Sequence, residues 1–288
     1  MKPIRIAKKM TAEKYRAAKG ISKSSLDSFA DCPALYKAEQ DGLIKRKATP
    51  AMSFGTLLHA LFLDKEAAYY VKPDGMTYAS KEGKEWRDSH ADKPVISQEE
   101  SDELNRAVEA LRGHRHAAGL LKSGKAEVSM FGVHKETGLA IRGRADWLAE
   151  TYIADLKTTG DASSKGMAKS IVSFRYHVQA AMYLMLAQQN GLNVNDFYFI
   201  AIQRGEVPLI NVRLLAQAAI EAGRMELDRM LRELKACQET GIWPDYSGTT
   251  EKPQMIDLPA WFYSDTSGME LTGADISQTE NDNHDIIP

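Results

Sequence analysis

Apolar and polar residues alternate with period two in three successive stretches, residues 127–133, 140–148 and 152–159. Successive side chains of a strand point to opposite faces, so this alternation predicts three half-buried strands. The connections, near "KETG" and at Ala149 and Glu150, are short, and together the stretches predict an antiparallel meander. A helix over about 174–190 follows, then strands at 197–203 and 209–212, then a long helix from Leu214 to about Thr240. Upstream, "ISKSSLDSFADCPALYKAEQDG" carries helix-period apolar residues behind serines suited to N-capping, and Pro33 divides it into two short helices. "SFGTLLHALFLD" predicts an apolar helix of about three turns with His59 in its middle. "SQEESDELNRAVEALRGH" opens with Ser97 and Glu100 at capping-box spacing. Between them, 69–95 is polar and irregular and reads as a surface excursion. No internal repeat is present.

Composition changes this picture little. The 288 residues are 43% hydrophobic and 26% charged with a net charge of -2, ordinary for a globular protein of one large domain. The placement of charge is more informative. Met1 to Lys23 holds eight Lys/Arg against one acid, whereas 264–288 holds six acids and no Lys or Arg. Without those acids the body carries about +4, a balance that permits DNA binding. The domain reading is a basic lead-in at 1–20, one domain at 21–263 and an acidic, disordered tail at 264–288. Cys32 and Cys237 are too few for a disulfide scaffold or a four-cysteine metal site, and a reducing cytoplasm is the expected setting. No apolar run approaches the roughly 20 residues of a membrane span, and no signal-peptide apolar region follows the basic start.

The chemistry concentrates in "TYIADLKTTG". Residues two apart on a strand share a face, so Asp155 and Lys157 point at one patch of space. Asp146, just before the tight turn, could reach the same sheet edge, and Glu127 on "AEVSMF" could supply a third carboxylate. Three carboxylates held together raise one another's pKa unless a cation neutralises them. Oxygen-rich ligand sets suit Mg²⁺ or Mn²⁺, and a lysine beside such a metal can orient a water and balance charge developing on a phosphate. Taken alone, an Asp-x-Lys pair on a strand is usually a solvated face or a weak cross-strand ion pair.

Asp146, then Asp155-Leu156-Lys157 after a short hairpin, with Glu127 upstream, resembles the PD-(D/E)xK nuclease superfamily. On the next helix, Gln179 and Tyr183 of "QAAMY" resemble the Q-x-x-x-Y motif of the subgroup that contains the RecB nuclease domain, Cas4 and phage-type exonucleases; residues i and i+4 share one helix face. "ISKSSLDSFADCPALYK" resembles that subgroup's N-terminal helices, and "FGTLLHALF" places His59 where those nucleases carry a metal-ligating histidine. The resemblance covers about 21–183 and is placed nearest the nuclease domain of the exonuclease VIII (RecE) family.

The resemblance implies an α/β (α+β) restriction-endonuclease-like core, a central mixed sheet with the antiparallel meander flanked by helices. It implies that His59, Glu127, Asp146 and Asp155 hold up to two Mg²⁺ ions, that Lys157 positions the water, and that Gln179 and Tyr183 orient the DNA strand. It further implies a 5′-to-3′ exonuclease on double-stranded DNA ends, working as a homo-oligomeric ring beside a single-strand annealing protein. Cas4-type iron–sulfur binding needs one N-terminal and three C-terminal cysteines, so no cluster is expected here. Arg142 and Arg144, flanking Gly143, share a face and either hold phosphates or are solvated; His114 and His116 are either a metal pair or surface; Trp86 and Arg87 lie in a basic loop that could track DNA. An endonuclease or flap nuclease on the same fold, and a non-catalytic DNA-binding subunit, are the alternatives. Replacing Asp155 or Lys157 by alanine is expected to abolish cleavage with the fold intact, and the tail is expected to be dispensable for folding.

Overall fold

The computed structural model of the protein describes residues 5–7, 10–44, 50–64, 69–248 and 255–258. The meander forms as its alternation predicts: β4 (Lys125–Val133), β5 (Ala140–Leu148) and β6 (Tyr152–Thr159) are successive antiparallel neighbours. β7 (Asp196–Gln203) then joins β6 in parallel, with Asp155 opposite Phe199 and Lys157 opposite Ala201, and β8 (Leu209–Leu214) closes that side antiparallel to β7. The parallel step is possible because two helices, α8 (Ser164–Ser173) and α9 (Tyr176–Gln189), carry the chain back between β6 and β7. On the other side, β1 (Arg5–Ala7) pairs antiparallel with β4, so the basic lead-in supplies an edge strand and a short helix, α1 (Ala12–Ala17). The sheet order is β1-β4-β5-β6-β7-β8, a mixed sheet in which, among the described strands, β6 and β7 are the parallel pair.

Each sheet face buries its own core. On one, α2 (Lys23–Asp31), α9 and α10 (Gln217–Thr240) pack on Val128, Ile141, Ile153, Phe197 and Phe199. On the other, α4 (Pro50–His59), α6 (Gln98–Gly113) and α7 (Arg115–Leu120) pack on Ala154, Leu156, Ile200 and Ile202. β6 is therefore covered on both sides, and Ile153 to Leu156 are all buried. Helix α9 is buried nearly all round, from Val178 to Leu184, because it lies between the sheet and α10.

Pro33 ends α2 and opens α3 (Pro33–Gln40), and Ser97 and Glu100 make the reciprocal capping box of α6. Three sequence expectations shift. The excursion at 69–95 holds α5 (Lys81–Ser89), on which Trp86 stacks its ring on His90 at 4.1 Å, and the short parallel pair β2 (Tyr70–Val71) and β3 (Val95–Ile96). α8 lies ahead of the helix expected from 174 and was not among the predicted elements, and Leu214 belongs to β8 rather than to α10. The chain divides into two units, Met1–Tyr246 and Ser247–Pro288, and the acidic tail lies outside the described residues. Among the described residues no helix is long and apolar enough to cross a membrane.

Candidate metal centre

β5 and β6 pair only at Trp147 with Ala154 and Leu148 with Ile153, so the strands part at Asp146 and Asp155. Asp146 fills the fork: its Oδ2 accepts the Leu156 N–H at 2.8 Å, replacing the missing backbone partner. Across the other ladder, Glu127 stands opposite Asp146, between the bonded pairs Ala126 with Trp147 and Val128 with Ala145. Glu127 adopts φ 54, the left-handed region that costs a non-glycine residue about 1 kcal/mol or more. That twist interrupts the ladder at the position facing Asp146. Local strain of this kind gathers where the surroundings over-determine it, and here it brings two carboxylates to one point of the sheet.

His59 arrives from the opposite face. It ends α4, and the chain continues in a π-helical turn, Ala60–Asp64; such widened turns recur at functional sites. Close approach of α4 to β6 depends on Gly55, whose absent Cβ would lie 3.2 Å from Thr158 Oγ1. The imidazole Nε2 is 3.2 Å from the carbonyl of Leu156. A carbonyl only accepts, so the proton sits on Nε2 and the Nδ1 lone pair faces Asp146 Oδ1 at 3.6 Å and Glu127 Oε1 at 4.0 Å. Burial lowers the His59 pKa and so favours this neutral form. One ligand atom each from His59, Glu127 and Asp146 lies within 4.8 Å of the others. A neutral imidazole and two carboxylates, all presenting lone pairs to one point, fit a divalent cation. Of the four residues expected to ligate, these three form the cluster.

Asp155 is turned differently. Its side chain is 1% exposed, its Oδ1 accepts from Gln179 Nε2 at 2.7 Å, and Lys157 Nζ is 2.5 Å from Oδ2. That ammonium lies off the direction of a good hydrogen bond, so Oδ2 keeps an unused acceptor direction. Asp155 and Lys157 thus share a face as the alternation requires, on the α9 side of the sheet. Desolvation, then the charges of Asp155 and Glu127, hold the Asp146 carboxyl well above the usual carboxylate range. Burial works against the Lys157 ammonium, but Asp155 outweighs it and the pKa rises above that of an ordinary lysine.

Gln179 and Tyr183 lie on one face of α9, as their spacing predicts, and both are buried. Tyr183 packs on Gly143, where a Cβ would come within 2.7 Å of its ring carbons. Gly143→Val is expected to displace that ring and destabilise the fold by about 1–3 kcal/mol, as overpacking does, with a matching drop in melting temperature; an unchanged melting curve would show that the ring yields freely.

Arg144 donates to Glu127 Oε2, while its Nη1, buried, has no protein partner among the described residues. Arg142 donates to the carbonyls of Tyr15, Arg16 and Gly20, and so satisfies the end of α1. His114 accepts the Ala117 N–H and caps α7, which accounts for it without a metal. Sequence reasoning missed Lys23 and Tyr176. Lys23 Nζ bonds Asp27 at 2.7 Å and lies 5.6 Å from the Tyr176 ring centre; Lys157 Nζ lies 4.6 Å from the same ring. A lysine in a capping-rich segment and a tyrosine at a helix start carry no local signal for such a meeting.

No curated protein sequence matches this one. The fold is shared with the crystal structure of a "Putative exonuclease" from Eubacterium rectale, at TM-score 0.61 and 16% identity, covering 91% of this chain and 100% of that one. A structure of SSO0001 covers 61% of this chain and 86% of its own at TM-score 0.27 and 17% identity, too low to carry an argument. The family model described as a PDDEXK-like domain of unknown function (DUF3799) matches residues 22–254, the span that contains every residue of the fork. The chain belongs to that family, and with it to the PD-(D/E)xK nuclease superfamily.

Proposed function

We propose that the protein is a metal-dependent deoxyribonuclease that degrades double-stranded DNA from its ends, 5′ to 3′, in homologous recombination of the phage or prophage kind. The observation that carries this reading is the cluster of His59, Glu127 and Asp146 beside the Asp155–Lys157 pair. A bound Mg²⁺, or Mn²⁺ in its place, would supply Lewis-acid charge for the attacking water and the phosphate. His59, Glu127 and Asp146 would hold it, with the Asp155–Lys157 pair on the neighbouring strand. Lys157 orients the water and offers positive charge where the phosphate gains negative charge. Gln179 fixes Asp155 in place. A cavity of about 300 Å³ adjoins Gln179 and is lined by Arg16, Ser22, Lys23, Arg142 and Arg144, a concentration of cations suited to the phosphates of the strand. The unpartnered Nη1 makes Arg144 the first candidate for such a contact.

End-labelled linear duplex and covalently closed circular DNA, incubated with protein and Mg²⁺, test the reading. Linear DNA is expected to shorten with early loss of a 5′ label, the closed circle to survive, and EDTA to stop the reaction. Cleavage of the circle would instead favour the endonuclease alternative, and binding of DNA without cleavage or metal uptake would favour a non-catalytic subunit. Under this proposal processivity comes from a homo-oligomeric ring working with a single-strand annealing protein, and light scattering reads the oligomer directly. His59→Ala is expected to weaken Mn²⁺ binding at least 10–100-fold in isothermal titration, the loss found when even outer-shell partners are removed; unchanged affinity together with a large loss of stability would make His59 a core residue.

A further inference from the structure

Phe174 closes α8 and is 57% exposed, although most large apolar residues near the fork are buried. Its position is actively maintained. Arg175, the next residue, takes φ 50 and ψ 42, a left-handed conformation rare without glycine. Arg175 is anchored on two sides, with Nη1 3.1 Å from Asp31 and Nε 3.5 Å from Glu226, and Lys23 donates to the Phe174 carbonyl. These contacts tie the α8–α9 junction to α2 and α10.

The exposed ring leads back to the metal centre. It packs against Tyr176 at 5.5 Å between centres, and Tyr176 is the ring that lies 4.6 Å from Lys157 Nζ. A cavity of about 340 Å³ opens there, lined by Lys157, Thr158, Thr159, Met167, Phe174 and Tyr176. Arg204 also borders it, but Glu103 takes two of its donors. The wall combines an ammonium, the hydroxyls of Thr158, Thr159 and Ser170, and the side chains of Met167, Phe174 and Tyr176, two of them flat rings. A phosphate alone has no use for the rings, and a purely apolar ligand has none for the ammonium. A planar heteroaromatic group joined to a phosphate matches both.

We infer that this cavity is a nucleobase subsite, in which the base of a nucleotide next to the cleaved phosphate stacks on Phe174. The inference rests on the nuclease reading and adds to it a contact with the base. Stacking uses the π-face that every base has, so the subsite accepts all four bases.

Duplex ends carrying 2-aminopurine at the first, second or third nucleotide of the cleaved strand, bound in Ca²⁺ in place of Mg²⁺, test it. Stacking is expected to quench the probe at one of these positions. Phe174→Ala should abolish that quenching and weaken binding about tenfold, the loss typical of one stacking contact, while Phe174→Trp restores both. Replacing the quenched nucleotide by an abasic one should erase the difference between Phe174→Ala and the wild type. If no position is quenched, or if Phe174→Ala loses equally on abasic DNA, the subsite is overturned while the nuclease reading stands on its cleavage data. If the wild-type protein binds no DNA end at all, both fall.

Discussion

Asp146→Asn is expected to make the metal-free protein more stable and at the same time to abolish cleavage. Asn retains a carbonyl oxygen to accept the Leu156 N–H, and its amide can donate to the His59 Nδ1 lone pair that Asp146 Oδ1 now faces at 3.6 Å. It also removes a buried charge that desolvation and the neighbouring Asp155 and Glu127 all disfavour. A gain of about 1 kcal/mol, the net worth of one such hydrogen bond, corresponds to a rise of roughly 2–4 °C in melting temperature for a chain of this size. The sign follows from linkage. The folded Asp146 carboxyl has its pKa raised above the unfolded value, so its contribution to stability is complete below the unfolded pKa and is lost as pH rises through the folded one. Melting curves in EDTA from pH 4 to pH 8 should therefore show wild type losing ground to the variant as pH rises. Excess Mn²⁺ should stabilise wild type by mass action and leave the variant nearly unmoved. A variant that melts lower in EDTA, or that still cleaves, would contradict the ligand assignment.

Lys157→Met is expected to cost both activity and fold. The rate should fall by about 10²–10³ or more, the scale for removing one preorganised charge from a phosphoryl site. Stability should fall by about 3–5 kcal/mol, roughly 10 °C, because Asp155 is left charged and 1% exposed with Gln179 as its remaining partner. The expectation that the fold stays intact when either residue is cut back rests on both side chains facing a polar site; in the structure Lys157 is 17% exposed and bears directly on Asp155. The double variant Asp155→Asn/Lys157→Met separates the two losses. With no charge left to bury it should recover most of the stability and none of the activity, measured by denaturant melts and cleavage of labelled duplex. If the single variant proves as stable as wild type, the pair is not the buried ion pair described.

Several features of this site are legible in the amino-acid sequence itself. Period-two alternation put Asp155 and Lys157 on one face of β6, and i, i+4 spacing put Gln179 and Tyr183 on one face of α9. Both are local consequences of backbone geometry, which repeats every two residues in a strand and every 3.6 in a helix. The short link at Ala149 and Glu150 likewise made β5 and β6 antiparallel neighbours, and so brought Asp146 near Asp155.

Tertiary structure alone decided how those residues meet. The left-handed twist at Glu127, the parting of β5 from β6 and the entry of Asp146 into the gap depend on register across two ladders, and alternation within a single strand does not encode it. The tautomer of His59 is set by a carbonyl 97 residues along the chain. Lys23 and Tyr176 join Lys157 only because α2 and the start of α9 pack beside the same end of β6. Periodicity reports which face of an element is buried; which atoms converge there is determined by packing between elements far apart in sequence, and the chemistry of this centre resides in that convergence.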